Sequence, residues 1–459
     1  MIDDLRKGDW RSLLACFLYF DTGFTAWVMF GPLAPFVAKQ IALTSAQSAF
    51  LVAVPVLAAS IVRMMLGNLF QSVDGRRIAL AGIALSAVPS LVLLLPITPS
   101  YELLLLLGTF LGVAGASFAV ALPMAGSTYP PRVQGLVLGL AAAGNIGAVI
   151  DGFVFPALAQ HFGWQRATIA VLPLLALAGA AVFLWARDAS RKSGSAKHAY
   201  WGFWAAFAGL NALVFLVNDG ALGSARTGQL LLPLLGALVA LFVLPRKYLA
   251  VLRERDTWVL MLIYSITFGG FVGMSSYVSL LLATQYGISK VDAGLAMAAL
   301  SFTGAMVRPV GGLLADRISG VRVLTALLLG IAAANFAFAA LMPSIRGGIA
   351  LLLALYLCFG LGNGATFQLV PHRFRSKTGL MTGIIGAAGG IGGFYLPVVM
   401  GLARESSGSY QLGFTTFGVL ATLAFFLVLG QHQRWLAWAL PKEPKEPAKR
   451  LGSGVIEAD

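Results

Sequence analysis

Charge is scarce in this chain. Only 11% of its 459 residues are Asp, Glu, Lys or Arg, while 58% are hydrophobic and the mean hydropathy is +0.85. No water-soluble domain could bury that much apolar surface, so the composition is that of a polytopic membrane protein whose first partner is the lipid bilayer. Cysteine is nearly absent. Cys16 and Cys358 each fall inside an apolar run, which excludes a disulfide framework and indicates no metal site. The apparatus of an enzyme is missing too: the sequence carries no nucleophile and base pair, no metal cluster and no Walker loop. GLGNGA at 360–365 lies within an apolar run with no preceding strand, so it is not a nucleotide loop. We therefore expect neither catalysis nor a cofactor. The start, MIDDLRKGDWRSLL, lacks a small-residue cleavage site, and the apolar run after it is long enough to span, so no cleavable signal peptide is expected.

Acidic residues are the scarcer sign, 18 against 32 Lys and Arg, for a net charge of +14. The bases sit in short loops between apolar runs, not in a patch interleaved with aromatics, which argues against nucleic acid and for orientation in a bilayer. Apolar runs of about 18–28 residues, long enough to span, predict helices near 12–38, 45–70, 78–97, 101–127, 133–159 and 167–186. Six more follow near 257–284, 291–315, 321–342, 347–370, 378–402 and 412–430. Between these sets lie two further runs, 201–218 and 227–245, expected to form a spanning hairpin; the alternative is a pair of helices lying on the membrane. The expected fold is thus an all-α membrane protein of fourteen spans: an N-terminal six-helix half (1–187), a linker with an extra transmembrane hairpin (188–256), a C-terminal six-helix half (257–432) and a charged, disordered tail (433–459). Of the 32 bases, only Lys39, Arg166, Arg226, Lys290, Arg346 and Arg404 fall on one side of this layout and only Arg63 and Arg308 inside the membrane. The rest share the side of the two termini, which should be cytoplasmic, as for a multi-pass protein of the inner membrane.

Arg63 and Arg308 are the exceptional residues. Each stands alone within an apolar run, and the spacing from arginine to glycine to leucine repeats: Arg63, Gly67, Leu69 and Arg308, Gly312, Leu314. Burying an arginine in hydrocarbon costs roughly 2.5–3.5 kcal/mol on insertion scales, so such residues face a wet cavity and meet an anion there. Two related segments suggest two similar halves presenting paired positive charges to one anionic substrate. A second pair of related stretches is glycine-rich, GLVLGLAAAGNIGAVIDGFVFP at 135–156 and GLMTGIIGAAGGIGGFYLP at 379–397. Glycine at three- and four-residue spacing lets a neighbouring helix or ligand approach the backbone, so Gly139, Gly144, Gly386 and Gly389 are expected to form sliding surfaces between the halves.

These four stretches, together with GVAGASFAVALPMAGSTYPPRVQG in the fourth run and LIYSITFGGFVG in the run beginning at 257, resemble the nitrate/nitrite porter family of the major facilitator superfamily. The resemblance covers nearly the whole chain except residues 200–250 and the tail. It implies a secondary transporter working by alternating access, with Arg63 and Arg308 clamping the anion from opposite halves. Asn145 beside Gly144 would add a neutral donor and Tyr264 a hydroxyl, with Phe118 and Phe268 covering the faces of the ion and Gly389 close to it. The chemistry agrees: nitrate is planar, singly charged and weakly hydrated, which suits the guanidinium fork better than the point charge of lysine. Tyr264 and Phe268, four residues apart, share a helical face. One chain is expected to function as a monomer, with nitrate or nitrite and the lipid bilayer as its partners.

The chain departs from the superfamily pattern in one loop. GNLFQSVDGRR puts Gln71 and Ser72 where a gate acid and base belong, whereas the second copy, GGLLADRISG, keeps Asp316 and Arg317. Two acids sit within spans, Asp21 and Asp151, and either is a candidate proton carrier. On a continuous helix Asp151, six residues past Asn145, would be rotated about 120° off the Asn145 face. An anion entering a negative-inside cell climbs about 2.3 kcal/mol per 100 mV, so accumulation needs symport with more than one proton or one-for-one exchange of nitrate for nitrite. Paired arginines would also suit another small monovalent anion, such as a monocarboxylate or cyanate, or an anion sensor without flux.

Overall fold

The computed structural model describes residues 6–130, 133–374 and 378–439, and the tail from 440 onward lies outside them. Within hydrocarbon every backbone N–H and C=O must be paired inside the segment, so the long apolar runs become helices. Fourteen of them, among the described residues, are long and apolar enough to cross a membrane. In chain order these are α1 Trp10–Gln40, α2 Ser45–Phe70, α3 Gly75–Leu93, α4 Tyr101–Ser127, α5 Val137–Phe162, α6 Trp164–Trp185, α7 Ala196–Asn218, α8 Ala225–Val243, α9 Arg255–Tyr286, α10 Lys290–Ile318, α11 Gly320–Leu341, α12 Ile345–Arg373, α13 Leu380–Ser407 and α14 Gln411–Trp438. The helix of α14 runs to Ala439, well past the expected 430, and carries Trp435 fully buried, because Trp435 Nε1 and Arg434 both donate to Asp256 at the start of α9.

Polar residues mark where the helices begin. Asp9 accepts from the N–H groups of Arg11 and Ser12, Thr44 and Gln47 form a reciprocal capping box, and Asp74, Ser100, Ser195, Ser224 and Ser289 cap α3, α4, α7, α8 and α10. Among the described residues four spans are interrupted well away from their ends. α1 breaks at Met29, α4 between Gly115 and Phe118, α5 at a 3₁₀ turn over Ala143–Ile146, and α10 at Val307. Half of the residues expected to meet the anion, Phe118, Gly144, Asn145 and Arg308, sit at these breaks.

The halves meet along α2 against α13, α5 against α10, and the second part of α1 against α9. These crossings run from mid-membrane to the end remote from the termini. There Gly31 backs onto Ser276, Gly294 onto Pro156 and Gly401 onto Ala49, while Glu405 accepts the free N–H of Ala46. At the other end the linker is tied to the N-terminal half: Lys192 bonds the Phe70 carbonyl and pairs with Asp188, which also accepts the Gly75 N–H. The α7–α8 hairpin is not isolated. It lies against α2 and reaches α13, with Asn211 bonded to Thr109, Tyr395 donating to the Leu230 carbonyl and Arg226 paired with Glu405.

A candidate anion site at the helix breaks

Arg63, in the continuous helix α2, is 4% exposed. Its placement follows from the break in α4. There the N–H of Ala119 bonds Ala116 rather than Gly115, so the Gly115 carbonyl is left over and accepts from Arg63 Nη2 at 2.9 Å. Nη1 donates to the Gly386 carbonyl in α13 at 3.2 Å, so this one side chain ties the two halves together. Nε is buried and has no partner. Three rings surround the guanidinium, with Cζ lying 5.3 Å from the centroid of Phe118, 5.7 Å from Phe268 and 5.8 Å from Trp27. Trp27 is itself pinned by a 2.9 Å bond to the Pro55 carbonyl. Position 115 must be glycine, because a Cβ there would sit 2.3 Å from the Trp27 ring.

Arg308 opens the second segment of α10, directly after the break, and is half-buried. Its Cζ lies 6.0 Å from the centroid of Phe367 on α12. Tyr264 joins the two cations. It lies in the electrostatic field of both arginines, stacks on Phe268 (5.0 Å, 3° between planes) and meets Phe367 edge-on at 4.9 Å. Gly389 makes room for this stack, since a Cβ there would come within 2.6 Å of the Tyr264 ring. Among the described residues, neither arginine pairs with a carboxylate. Two cations held close together without an acid between them form a site that an anion completes.

The structure thus brings Arg63, Arg308, Tyr264, Phe118, Phe268 and Gly389 into one cluster. Asn145 and Gly144 are placed differently. Their 3₁₀ turn packs on α1 and α10; Gly144 faces the backbone of Asp21, and Asn145 is buried with Oδ1 unpartnered. No hydrogen bond joins Asn145 to either arginine among those described. The same turn removes the basis for a 120° rotation of Asp151, because α5 is not one continuous α-helix there. Asp151 is fully buried and Asp21 faces Gly147, next to Asn145 on the same break. The expected glycine surfaces between the halves are corrected at three positions: among the described residues nothing lies within 4 Å of a Cβ built on Gly139, Gly144 packs on Phe20 and Asp21, and Gly389 on Tyr264 and Phe268, each within its own half, whereas Gly386 faces Arg63 of the opposite half. Asp316 and Arg317 are exposed at the end of α10 and form no ion pair among the described residues, while Gln71, in the altered loop, is bonded by Lys247 from the linker.

Four contributors were not foreseen: the carbonyls of Gly115 and Gly386, and the rings of Trp27 and Phe367. The carbonyls and Trp27 leave no sequence signal, as they depend on helix crossings. Phe367 does leave one. Gly115-Ala116-Ser117-Phe118 in α4 recurs as Gly364-Ala365-Thr366-Phe367 in α12, and each phenylalanine lies by the arginine of its own half.

With this geometry in place, comparison with known proteins identifies the class. The major facilitator superfamily model matches residues 15–394. The fold resembles the crystal structure of a bacterial homologue of the human lysosomal transporter Spinster, in an inward-facing and occupied conformation. Its TM-score is 0.64 at 16% identity, over 94% of this chain and 98% of that one. Among curated proteins, a probable nitrate/nitrite transporter of Mycobacterium tuberculosis is 32% identical over 404 residues, covering 87% of this chain and 91% of the relative. A nitrite extrusion protein of Bacillus subtilis is 29% identical over 91% of each chain, and a probable nitrate transporter of Staphylococcus epidermidis is 28% identical over 87% of this chain and 92% of its own. The chain belongs to the major facilitator superfamily of membrane transporters and, within it, to the nitrate/nitrite porter family.

Proposed function

We propose that this protein carries nitrate, nitrite or both across the cytoplasmic membrane by alternating access, holding the anion between Arg63 and Arg308. The observation that carries this reading is the convergence of two guanidiniums from opposite halves, without a carboxylate partner, on an aromatic wall that includes Tyr264. The printed names of the relatives support the substrate. A planar anion accepts in-plane hydrogen bonds from two guanidinium forks while Phe118 and Phe268 cover its faces, so shape and charge are read together. In this reading both termini are cytoplasmic, the closed end of the bundle faces outward and the conformation is inward-facing, and one chain suffices. Release of the anion would leave Arg63 on its carbonyl partners alone, Gly115 in its own half and Gly386 in α13, so that the anion no longer bridges the halves.

The test is flux into proteoliposomes containing the purified protein. Labelled nitrate should enter vesicles loaded with nitrite, and unlabelled nitrate or nitrite should compete where cyanate and small monocarboxylates do not. Stronger competition by either of those would reassign the substrate; saturable binding with no flux in any loading would make the protein a sensor.

A further inference from the structure

Asp151 is fully buried, and among the described residues neither oxygen of its carboxyl group has a hydrogen-bond partner. Asp21, on α1, is its electrostatic neighbour. Among the described residues one Asp21 oxygen is likewise buried and unpartnered, and the Asp21 backbone packs against Gly147 at the start of the new helical segment, where a Cβ would come 2.5 Å from the Asp21 carbonyl. The elements packed on this part of α5 are α1 and α10. The charged and titratable groups they bring are Arg11, Cys16, Tyr19, Asp21 and Lys39 from α1, and Lys290, Asp292, Arg308, Asp316 and Arg317 from α10, while α5 itself adds His161. Among the described residues none of these cations pairs with Asp21 or Asp151.

Packing does not call for an acid here. Asp151-Gly152-Phe153 and Pro156 correspond to Gly392-Gly393-Phe394 and Pro397 in the other half, where Gly392 sits tightly on the Ser265 backbone. The acid is peculiar to the N-terminal half. It is also adjacent to the moving surface: a Cβ on Gly152 would come 2.4 Å from the Gly294 carbonyl and 2.8 Å from Ala298, both in the opposite half. An ionised carboxylate without partners in such a place costs several kcal/mol, and two neighbouring ones cost more by repulsion.

We propose that Asp21 and Asp151 form a proton-binding site whose occupancy controls closure of the halves at the end remote from the termini, so that this carrier couples anion movement to protons. The inference rests on the transport reading above and chooses symport over pure exchange. With the halves parted, each carboxylate meets water and takes up H⁺, forming one O–H bond. Closing over the neutral pair avoids the charge penalty, and that O–H bond breaks again when the proton passes to water on the other side. Two acids allow more than one proton per anion, which offsets the membrane potential that the anion alone would climb.

The experiment has two arms. Infrared spectroscopy of the purified protein at neutral pH, without substrate, should show a protonated-carboxyl C=O band that shifts in D₂O and weakens in Asp151→Asn; its absence from the wild type would overturn the proposal. In proteoliposomes, acid outside should drive nitrate accumulation in the wild type and in Asp151→Glu. In Asp151→Asn and Asp21→Asn it should fall to the level seen without a pH gradient, while nitrate-for-nitrite counterflow persists. Undiminished proton-driven accumulation in both Asn variants would also overturn it. If the wild type moves no nitrate in any mode, the transport reading fails, and the infrared arm still decides the proton site.

Discussion

The Cζ of Arg63 lies 5.3 Å from the centroid of Phe118, and the same partnership recurs in the other half between Arg308 and Phe367, at 6.0 Å. Each arginine is thus steadied by a phenylalanine from a Gly-Ala-Ser/Thr-Phe segment two spans further along the chain. A cation over an aromatic face is worth about 0.5–2 kcal/mol, so Phe367→Ala should weaken apparent nitrate affinity by roughly 2–30-fold. Phe118→Ala should do the same. Measured KM values equal to the wild type for both would remove the rings from the site.

Glycines at similar spacing should respond in opposite ways. Gly389→Leu collides with the Tyr264–Phe268 stack and should give a folded protein that does not exchange nitrate; Gly139→Leu projects into open space and should exchange normally. Circular dichroism establishes folding and counterflow establishes activity. Normal counterflow by Gly389→Leu would contradict the tight approach of α13 to α9.

The α7–α8 turn should face the outside of the cell, because both flanks of the hairpin are basic and the turn is not. Ser224 caps α8 by accepting the Thr227 N–H, so the exposed Ala221 is the better probe. Ala221→Cys, in a background without Cys16 and Cys358, should react with an impermeant thiol reagent added to intact cells. Labelling only after permeabilisation would put the hairpin on the inner surface.

Asp188 should make the linker acid-sensitive. Burial raises its pKa, but the hydrogen bonds from Lys192, Ser190 and the backbone N–H groups of Gly75 and Ser190 outweigh that and hold the carboxyl below its usual value. A depressed folded-state pKa contributes stability that is present above the unfolded value, about 3.9, and is lost as pH falls through the folded one. Asp188→Asn should therefore lower the melting temperature at neutral pH and flatten its fall in acid. Parallel curves for mutant and wild type would contradict this.

What could be read in advance follows physical lines. Hydropathy carries the fourteen spans, since lipid tolerates few alternatives to a helix. Arg63 and Arg308 stand out because a cation among apolar residues is rare. The breaks at Ala116–Ser117, Ala143–Ile146 and Val307 do not stand out: they are set by how neighbouring helices cross, and they decide which carbonyls Arg63 can reach. Sequence spacing does not tell whether a glycine is covered, or by which half, which is why Gly139 is open while Gly144 packs on Asp21. Extrapolating rotation from Asn145 to Asp151 assumed an unbroken helix, and the 3₁₀ turn removes that assumption.

The most direct test of the account is nitrate counterflow in proteoliposomes with Arg63→Lys and Arg308→Lys. Lysine keeps the charge but loses the planar fork, and at position 63 it also cannot reach the Gly115 and Gly386 carbonyls together in the same geometry. Each variant, shown by circular dichroism to be folded, should carry no nitrate above protein-free vesicles. Near wild-type counterflow in both would contradict an anion held between the two guanidiniums.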